Sequence, residues 1–537
     1  MTHLRLLLVL LAFAALPARV LQAEPFSPGQ VLSQPMVAHV TAVALGFMAP
    51  RSLEPIPVWQ MAMWGLRGLT TLDSGLTPDL QSIHGERVLR LIGPSRVLAS
   101  RTAPPPDNAA AWGEAVAQMV RVAWDSSSAV RRAGTQGILR SFFDELFNHL
   151  DPYSRYATPA EAITERARRI GQASVGIHLA LRRGRIVVQS VRPGSPASMA
   201  GMRPGDRITA IDGEPTRGAD LQAASALLAG PEDSAVDISL LGKDGSRTLA
   251  LRREALPPET VTSSRRDDML LLRITGFASN TAARLGQELI AGTGTQPPPL
   301  GVVIDLRENR GGLLRQAVAA AAMLQPLGIV ASSSGRDPQA AHEFRAEGRD
   351  LAAGLPVVVL VDGRSASAAE VLAAALADQR RAVVIGSTTQ GKGLVQAIAP
   401  LPDGGELFLS WSRLLAPRGW PIQGLGVVPQ VCTSLGGDAL ARHLAALEIG
   451  IQPLQAGLAR HRTARAPLAT ADALEIRAIC PAAVGGAQDM IAASQLIRSP
   501  VAYAAALMPP PLASPVGSVL RPPRPPQGLT GSTPVRN

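Results

Sequence analysis

Residues 361–370, Val361-Asp362-Gly363-Arg364-Ser365-Ala366-Ser367-Ala368-Ala369-Glu370, lead from the end of an apolar strand through a turn into a helix. The run Val357 to Val361 is continuously apolar, as suits a strand covered on both faces. The helix extends to about Asp378, and Ala382 to Ile385 reads as the next strand. Further strand-like runs at Met269 to Ile274, Gly301 to Leu306 and Leu407 to Leu415 alternate with helices from Thr281, Leu313 and Ser367. Such alternation implies a layered α/β domain. A serine at a helix start sits where free amides and the helix dipole favour developing negative charge. Serine is also a common N-cap, so its position alone reads as a cap.

Lysine usage makes the serine more interesting. The chain has 52 basic residues, of which only Lys243 and Lys392 are lysine. Arginine stays protonated at any workable pH, whereas a desolvated lysine loses its proton and becomes a base. Lys243 lies in the turn Gly242-Lys243-Asp244-Gly245, where chance explains it. Lys392 lies in Gly391-Lys392-Gly393, whose glycines permit close approach of a partner. One helix, one strand and one turn separate Ser367 from Lys392, so the chain returns to the end where it began. A neutral Lys392 would take the serine's proton, as histidine does in the better-known triad, and Gln396 would orient the amine. No histidine lies in or beside these motifs. The loop Asp305-Leu306-Arg307-Glu308-Asn309-Arg310-Gly311-Gly312 follows another buried strand, and its paired glycines expose amides as an oxyanion hole needs. Asp305 and Arg307 read as a structural pair.

Upstream, residues from about Ser174 to Arg253 change character. Short strands at Gly176 to Leu181, Ile186 to Val191 and Arg207 to Ile211 precede a helix from Asp220 to Leu228 and strands at Val236 to Leu241 and Ser246 to Arg252. With the turn Gly201-Met202-Arg203-Pro204-Gly205-Asp206, this order resembles a PDZ domain. Ser174, Val175, Gly176 and Ile177 then occupy the loop whose amides hold a peptide's terminal carboxylate, the peptide adding a strand to the sheet edge.

The ordered set Asp151-Pro152-Tyr153-Ser154, the PDZ unit, Asp305-Leu306-Arg307 with Asn309 and Gly311-Gly312, Ser365-Ala366-Ser367, Gly391-Lys392-Gly393, Val395-Gln396, and Gly424 to Pro429 resembles the C-terminal processing peptidases, or tail-specific proteases. The resemblance runs from about Leu150 to Gln430. It implies a crotonase-like α/β protease core with an inserted β-rich PDZ domain and flanking helical regions. It also implies Ser367 as nucleophile, Lys392 as general base and Gln396 as the residue that positions the lysine. The amides of Ala368 and of Gly312, or Gly311, match the oxyanion hole. Cleavage near an apolar carboxyl terminus presented by the PDZ domain is the implied activity. Three positions depart from the family pattern: Ala369 replaces a frequent serine, Gln390 an aromatic, and Arg310 a smaller residue or proline.

The remaining regions complete the plan. Residues 1–23 read as a secretory signal, basic at Arg5 and apolar from Leu6 to Leu16, with an uncleaved anchor as the alternative. The expected domains are a helical region at 35–160, the PDZ domain at 170–255, the peptidase core at 256–435, a helical region at 436–507 and a disordered Pro-rich tail at 508–537. Export to the periplasm or cell envelope follows, and Cys432 and Cys480 then form either a disulfide or two buried thiols. Two cysteines and eight scattered histidines give no metal-ligand spacing, and no cofactor is expected. The formal charge of +10 is spread as single arginines with few aromatics, so nucleic acid is not an expected partner. Expected partners are protein or peptide substrates with apolar C-termini, and a homo-oligomer or activating partner is compatible with the helical ends. A catalytically silent PDZ adaptor for the tails of envelope proteins is the alternative function. An enzyme of acyl thioesters, suggested by the core alone, fits poorly with export.

Overall fold

The computed structural model describes residues 32–507 except Ala219 and the side chain of Gln172; the expected signal segment 1–23 and tail 508–537 lie outside the described residues. The described chain divides into two compact units, residues 32–46 with 57–152 and residues 47–56 with 153–507.

In the first unit the helices Val58–Leu66, Ala109–Ser126 and Ser128–Phe147 pack through Met61, Leu66, Trp112, Val116, Leu139 and Phe143, all buried. This region also holds a three-stranded antiparallel sheet, Thr77–Ile83, Glu86–Ile92 and Val97–Thr102, where the sequence reading expected mainly helix. Ile83 pairs with Glu86 across His84 and Gly85, whose φ values are 51° and 84°. Two successive positive φ values make the tight hairpin turn that matches strand twist. That turn, between two seven-residue runs, was the sequence signal for the sheet.

The second unit contains the expected β-rich module and the expected α/β core. In the module the sheet order is Gly245–Arg252, Ala235–Gly242, Arg207–Ile211, Arg185–Val191 and Ile177–Arg182, with Glu214–Pro215 paired to Arg207–Ile211. The helix Leu221–Leu228, N-capped by Asp220, packs Ala224 and Leu228 onto a core of Ile186, Val188, Ile208 and Ile238.

The main core sheet runs Val261–Arg266, Met269–Ile274, Gly301–Asp305, Val357–Val361, Val383–Gly386 and Val431–Cys432. Its first pair is antiparallel and every later neighbour is parallel. All residues of the Gly301–Asp305 and Val357–Val361 strands are buried. Each fully buried valine there contributes roughly 1.5–3 kcal/mol, which explains the unbroken apolar runs. Parallel strands share an orientation, so the loops that carry Gly311, Ser367 and Lys392 all leave from the same edge. A second, antiparallel sheet runs His342–Glu347, Leu327–Gly335, Glu406–Leu415 and Leu394–Pro400, with Arg155–Ala157 also pairing Glu406–Leu415. The helix Ala368–Asp378 is buried along its whole length, and its alanines allow close packing on both sides. After the core, where two helices were expected, five follow among the described residues: Gly437–Glu448, Gln455–Thr463, Thr470–Arg477, Ala487–Arg498 and Pro500–Ala506. Gly450, at φ 82°, lies just beyond the first of these, in the turn that precedes the second.

Candidate active site

The serine turn is built by side chains that cannot react. Asp362 Oδ1 accepts from the amides of Glu308, Arg364 and Ser365, each at 3.0 Å. Ser365 is fully buried, and its hydroxyl donates to Leu306 O at 2.8 Å and accepts from Asp362 N at 3.0 Å. Of the two serines, Ser365 is therefore the structural one. Ser367 is half-buried at the head of the helix with φ 56° and ψ −117°, a strained conformation for a residue with a Cβ. Such strain persists only where the surroundings enforce it, and it presents the side chain above the helix end.

Glu370 does the enforcing. Its carboxylate is fully buried and accepts from four donors: Ser367 N at 2.7 Å, Lys392 N at 2.8 Å, Gly391 N at 2.6 Å and the hydroxyl of Thr389. Oε2 takes both the Ser367 and the Lys392 amides, so a single oxygen staples the serine turn to the lysine loop. Burial pushes the Glu370 carboxyl above its ordinary range, and the donors from Thr389, Gly391, Ser367 and Lys392 pull it back. Gln390 N adds a tie to Ser365 O at 3.0 Å.

The glycines around Lys392 are required. A Cβ on Gly393 would lie 2.1 Å from Gln423 N, and Gly391 holds φ 84°. The 423–427 segment braces this loop through Gly424 N to Gly391 O at 2.9 Å and Gln423 Oε1, which accepts from Gly393 N at 2.9 Å. Behind it, His461 Nε2 donates to Gly426 O at 2.8 Å, and Arg477 donates to Leu425 O at 2.8 Å. Burial pushes His461 down to about 3, with the neighbouring Arg462 acting in the same direction, so it is a neutral brace.

Lys392 Nζ lies 4.7 Å from the centroid of the Tyr153 ring, and Gln396 Nε2 donates to Tyr153 O at 2.5 Å. A register shift at Val395/Gln396 in the pairing with Glu406–Leu415 marks a bulge, a device that re-aims side chains. Tyr153 thus contacts both expected partners of the serine, a role not read from its motif.

On the other side, Gly311 sits so close to the serine turn that a Cβ would lie 2.9 Å from Ser367 Cβ and 3.0 Å from Ala368 N. Asn309, fully buried, fixes this loop by donating to Ile274 O at 2.8 Å and accepting from Gly311 N at 2.8 Å. The Gly311 amide is thereby engaged. Among the described residues the amides of Gly312 and Ala368 donate to no acceptor, which distinguishes Gly312 from Gly311 as an available donor. Arg307 pairs with Asp305 at 2.8 Å and with Asp489 at 3.1 Å, the structural role expected of it. Gln390 and Arg310 are both exposed. A cavity of about 700 Å³ next to this loop is lined by Leu313, Leu314, Phe344, Val395 and Trp411.

Of the four residues of the expected carboxylate loop, Ser174, Gly176 and Ile177 line a cavity of about 550 Å³ with Arg168 and Arg192. Val175 is buried in the module's own core instead. Gly176, at φ 83°, lies against Ser195, where a Cβ would come within 2.2 Å. Cys432 and Cys480 form a disulfide with Cα atoms 5.7 Å apart. It holds the 480–483 segment where Cys480 O accepts from the Thr388 hydroxyl and Ala483 O from the Ser387 hydroxyl, on the approach to Lys392.

Comparison with known proteins bears on this arrangement. The family model of peptidase family S41 matches residues 268–433, and that of a PDZ domain matches residues 187–241. The chain is 32% identical over 302 residues to a carboxy-terminal-processing protease of Bartonella bacilliformis, covering 55% of this chain and 69% of that one. It is 33% identical over 351 residues to a chloroplastic C-terminal processing peptidase of Tetradesmus obliquus, covering 58% and 74%. A solved photosystem II D1 C-terminal processing protease is 31% identical, with 58% and 86% covered and a TM-score of 0.33.

Proposed function

The chain belongs to peptidase family S41, as a serine-type peptidase of the carboxy-terminal processing group with a PDZ domain, and from that premise we propose that Ser367 and Lys392 form its catalytic dyad. The observation that carries this reading is the shared acceptor Glu370 Oε2, which takes the amides of both residues. Ser367 Oγ attacks the scissile carbonyl while its proton passes to neutral Lys392 Nζ. The amides of Ala368 and Gly312 hold the oxyanion, aided by the N-terminal end of the Ala368–Asp378 helix. Lys392 then protonates the leaving amine, leaving an acyl group on Ser367. Water, deprotonated by the same lysine, releases it. Gln396 and Tyr153 position the amine. The apolar cavity beside Gly312 takes an apolar side chain of the substrate.

The PDZ domain feeds this site by holding the substrate's C-terminus at Ser174, Gly176 and Ile177, where Arg168 and Arg192 supply charge for the terminal carboxylate. For the described residues the proposed domain plan keeps the sequence boundaries, with the three-stranded sheet of 77–102 inside the N-terminal region. The disulfide supports export to an oxidising compartment, periplasm or envelope. No helix among the described residues is long and apolar enough to cross a membrane.

The test is cleavage of an unfolded protein with an apolar C-terminal tail by the unmodified chain, Ser367→Ala and Lys392→Arg. The expected result is cleavage by the first only, with both variants folded. Tail binding without cleavage by all three would support the adaptor reading instead.

A further inference from the structure

The β-rich module carries a second concavity, of about 460 Å³, that shares no lining residue with the carboxylate-loop cavity. Arg183, Arg185, Arg207 and Arg217 line it, with Thr209 and Thr216, and no carboxylate does. Three chain segments deliver these residues. Arg183 lies in the hairpin turn between Arg182 and Arg185, which face each other across the pair, with Arg183 at φ 50° and Gly184 at φ 72°. Arg207 opens the next strand, opposite Val187. Thr216 N donates to Thr209 O at 3.0 Å, and this holds the segment that leads to Arg217.

Other arginines of the same module have acidic partners: Arg203 faces Asp244, Arg247 faces Asp206 and Arg253 faces Asp212. Among the described residues, none of the four around this cavity has a carboxylate within salt-bridge distance. Four like charges on one small concavity repel one another. A bound multivalent anion removes that repulsion. Guanidinium forks match phosphate geometry in pairs, and threonine hydroxyls add neutral donors. A carboxylate brings a single charge, whereas a phosphate monoester brings nearly two.

We propose that this pocket binds a phosphate-type dianion, independent of the peptidase reaction and of the peptide groove. The phosphate is either free in solution or presented as a lipid headgroup. The experiment titrates the full chain with inorganic phosphate and with inorganic pyrophosphate by calorimetry at low ionic strength. In parallel, the chain is sedimented with phosphatidylcholine vesicles containing phosphatidic acid, and with phosphatidylcholine alone. Arg185→Gln and Arg207→Gln are compared with Arg96→Gln, an exposed arginine elsewhere with the same change in charge.

Saturable phosphate binding is expected, weakened about tenfold by Arg185→Gln or Arg207→Gln, unchanged in Arg96→Gln, and lowered by salt. If the phosphatidic acid vesicles also pull down the chain in an Arg207-dependent way, the source is a membrane; if only the soluble anions bind, the source is in solution. Absence of saturable binding to either, or equal weakening by Arg96→Gln, overturns the proposal.

Discussion

The two ends of the buried Ala368–Asp378 helix each carry a buried carboxylate, and they handle it differently. Near the N-terminal end, Glu370 is satisfied by three backbone amides and a threonine hydroxyl. At the C-terminal end, Asp378 is neutralised by Arg462 at 2.6 Å and also accepts from Trp420 Nε1 at 2.8 Å and Arg418 N at 3.2 Å. The helix dipole helps account for this. A negative charge is favoured at an N-terminus and opposed at a C-terminus, where it needs a cation. Neutral donors at the reacting end hold two loops in place, and among the described residues no cation is in salt-bridge contact with Glu370 beside the proposed base Lys392. In the proposed mechanism one end of the helix orders chemistry, and the other anchors the fold.

If that division is right, Asp378→Ala should have the largest effect on stability. It strands buried Arg462 and Trp420 Nε1, at a cost of about 3–5 kcal/mol. Denaturant unfolding should show the loss, while kcat per folded molecule changes little. Reduction of the Cys432–Cys480 disulfide releases a loop of sequence separation 48 and should cost roughly 2–4 kcal/mol. Because the 480–483 segment accepts from Ser387 and Thr388, activity after reduction should fall before global unfolding, as parallel peptidase and circular dichroism measurements would reveal.

Glu370→Gln sharpens the contrast from the reacting end. The new amide nitrogen opposes one of the donors, so kcat should fall about 10²-fold through misplacement of Ser367 and Lys392. KM should stay nearly constant; a rise in KM with unchanged kcat would place Glu370 in substrate binding instead. His461 offers a pH-dependent effect that is small near neutral pH and grows as pH falls. Its folded pKa, about 3, lies below the unfolded value of 6.5, so protonation favours the unfolded chain. Its contribution is complete above pH 6.5 and is lost as pH falls toward 3, by about 1.4 kcal/mol per pH unit. His461→Gln should flatten the acid limb of a stability profile; an unchanged limb would assign acid sensitivity elsewhere. Smallest of all, Gln390→Tyr alters an exposed residue beside the lysine loop and should change kcat/KM by less than about threefold, in line with surface substitutions.

Much of this was legible in the sequence because buried parallel strands and glycine-marked turns leave strong patterns. Val357–Val361 and Met269–Ile274 emerged with the boundaries read from their apolar runs. Residue type and order single out Ser367, Lys392 and Gln396; the fold sets Ser367 at a helix start, Lys392 on the adjoining loop and Gln396 on the strand that follows it. Glu370 was passed over as a helix residue, although Ser367-x-x-Glu370 has capping-box spacing. Its bonds to Thr389, Gly391 and Lys392 depend on which strands neighbour each other, which no local pattern encodes. Tyr153 was visible only as part of a motif, because its partners lie far along the chain. The strands Leu327–Gly335 and His342–Glu347 were missed because serines and charges interrupt their alternation. Cys432 and Cys480 could not be paired from sequence, since their distance is set by the last strand of the main sheet and the helix Thr470–Arg477.

In the proposed mechanism Ser367 carries the acyl group and Lys392 activates the serine. The most direct test is acid-quenched intact-mass and peptide mapping of the enzyme during turnover of an apolar peptide ester. An added mass equal to the acyl fragment is expected, located on Ser367 and absent in Lys392→Arg. Turnover with no adduct, or an adduct on Ser365 or any other residue, would contradict it.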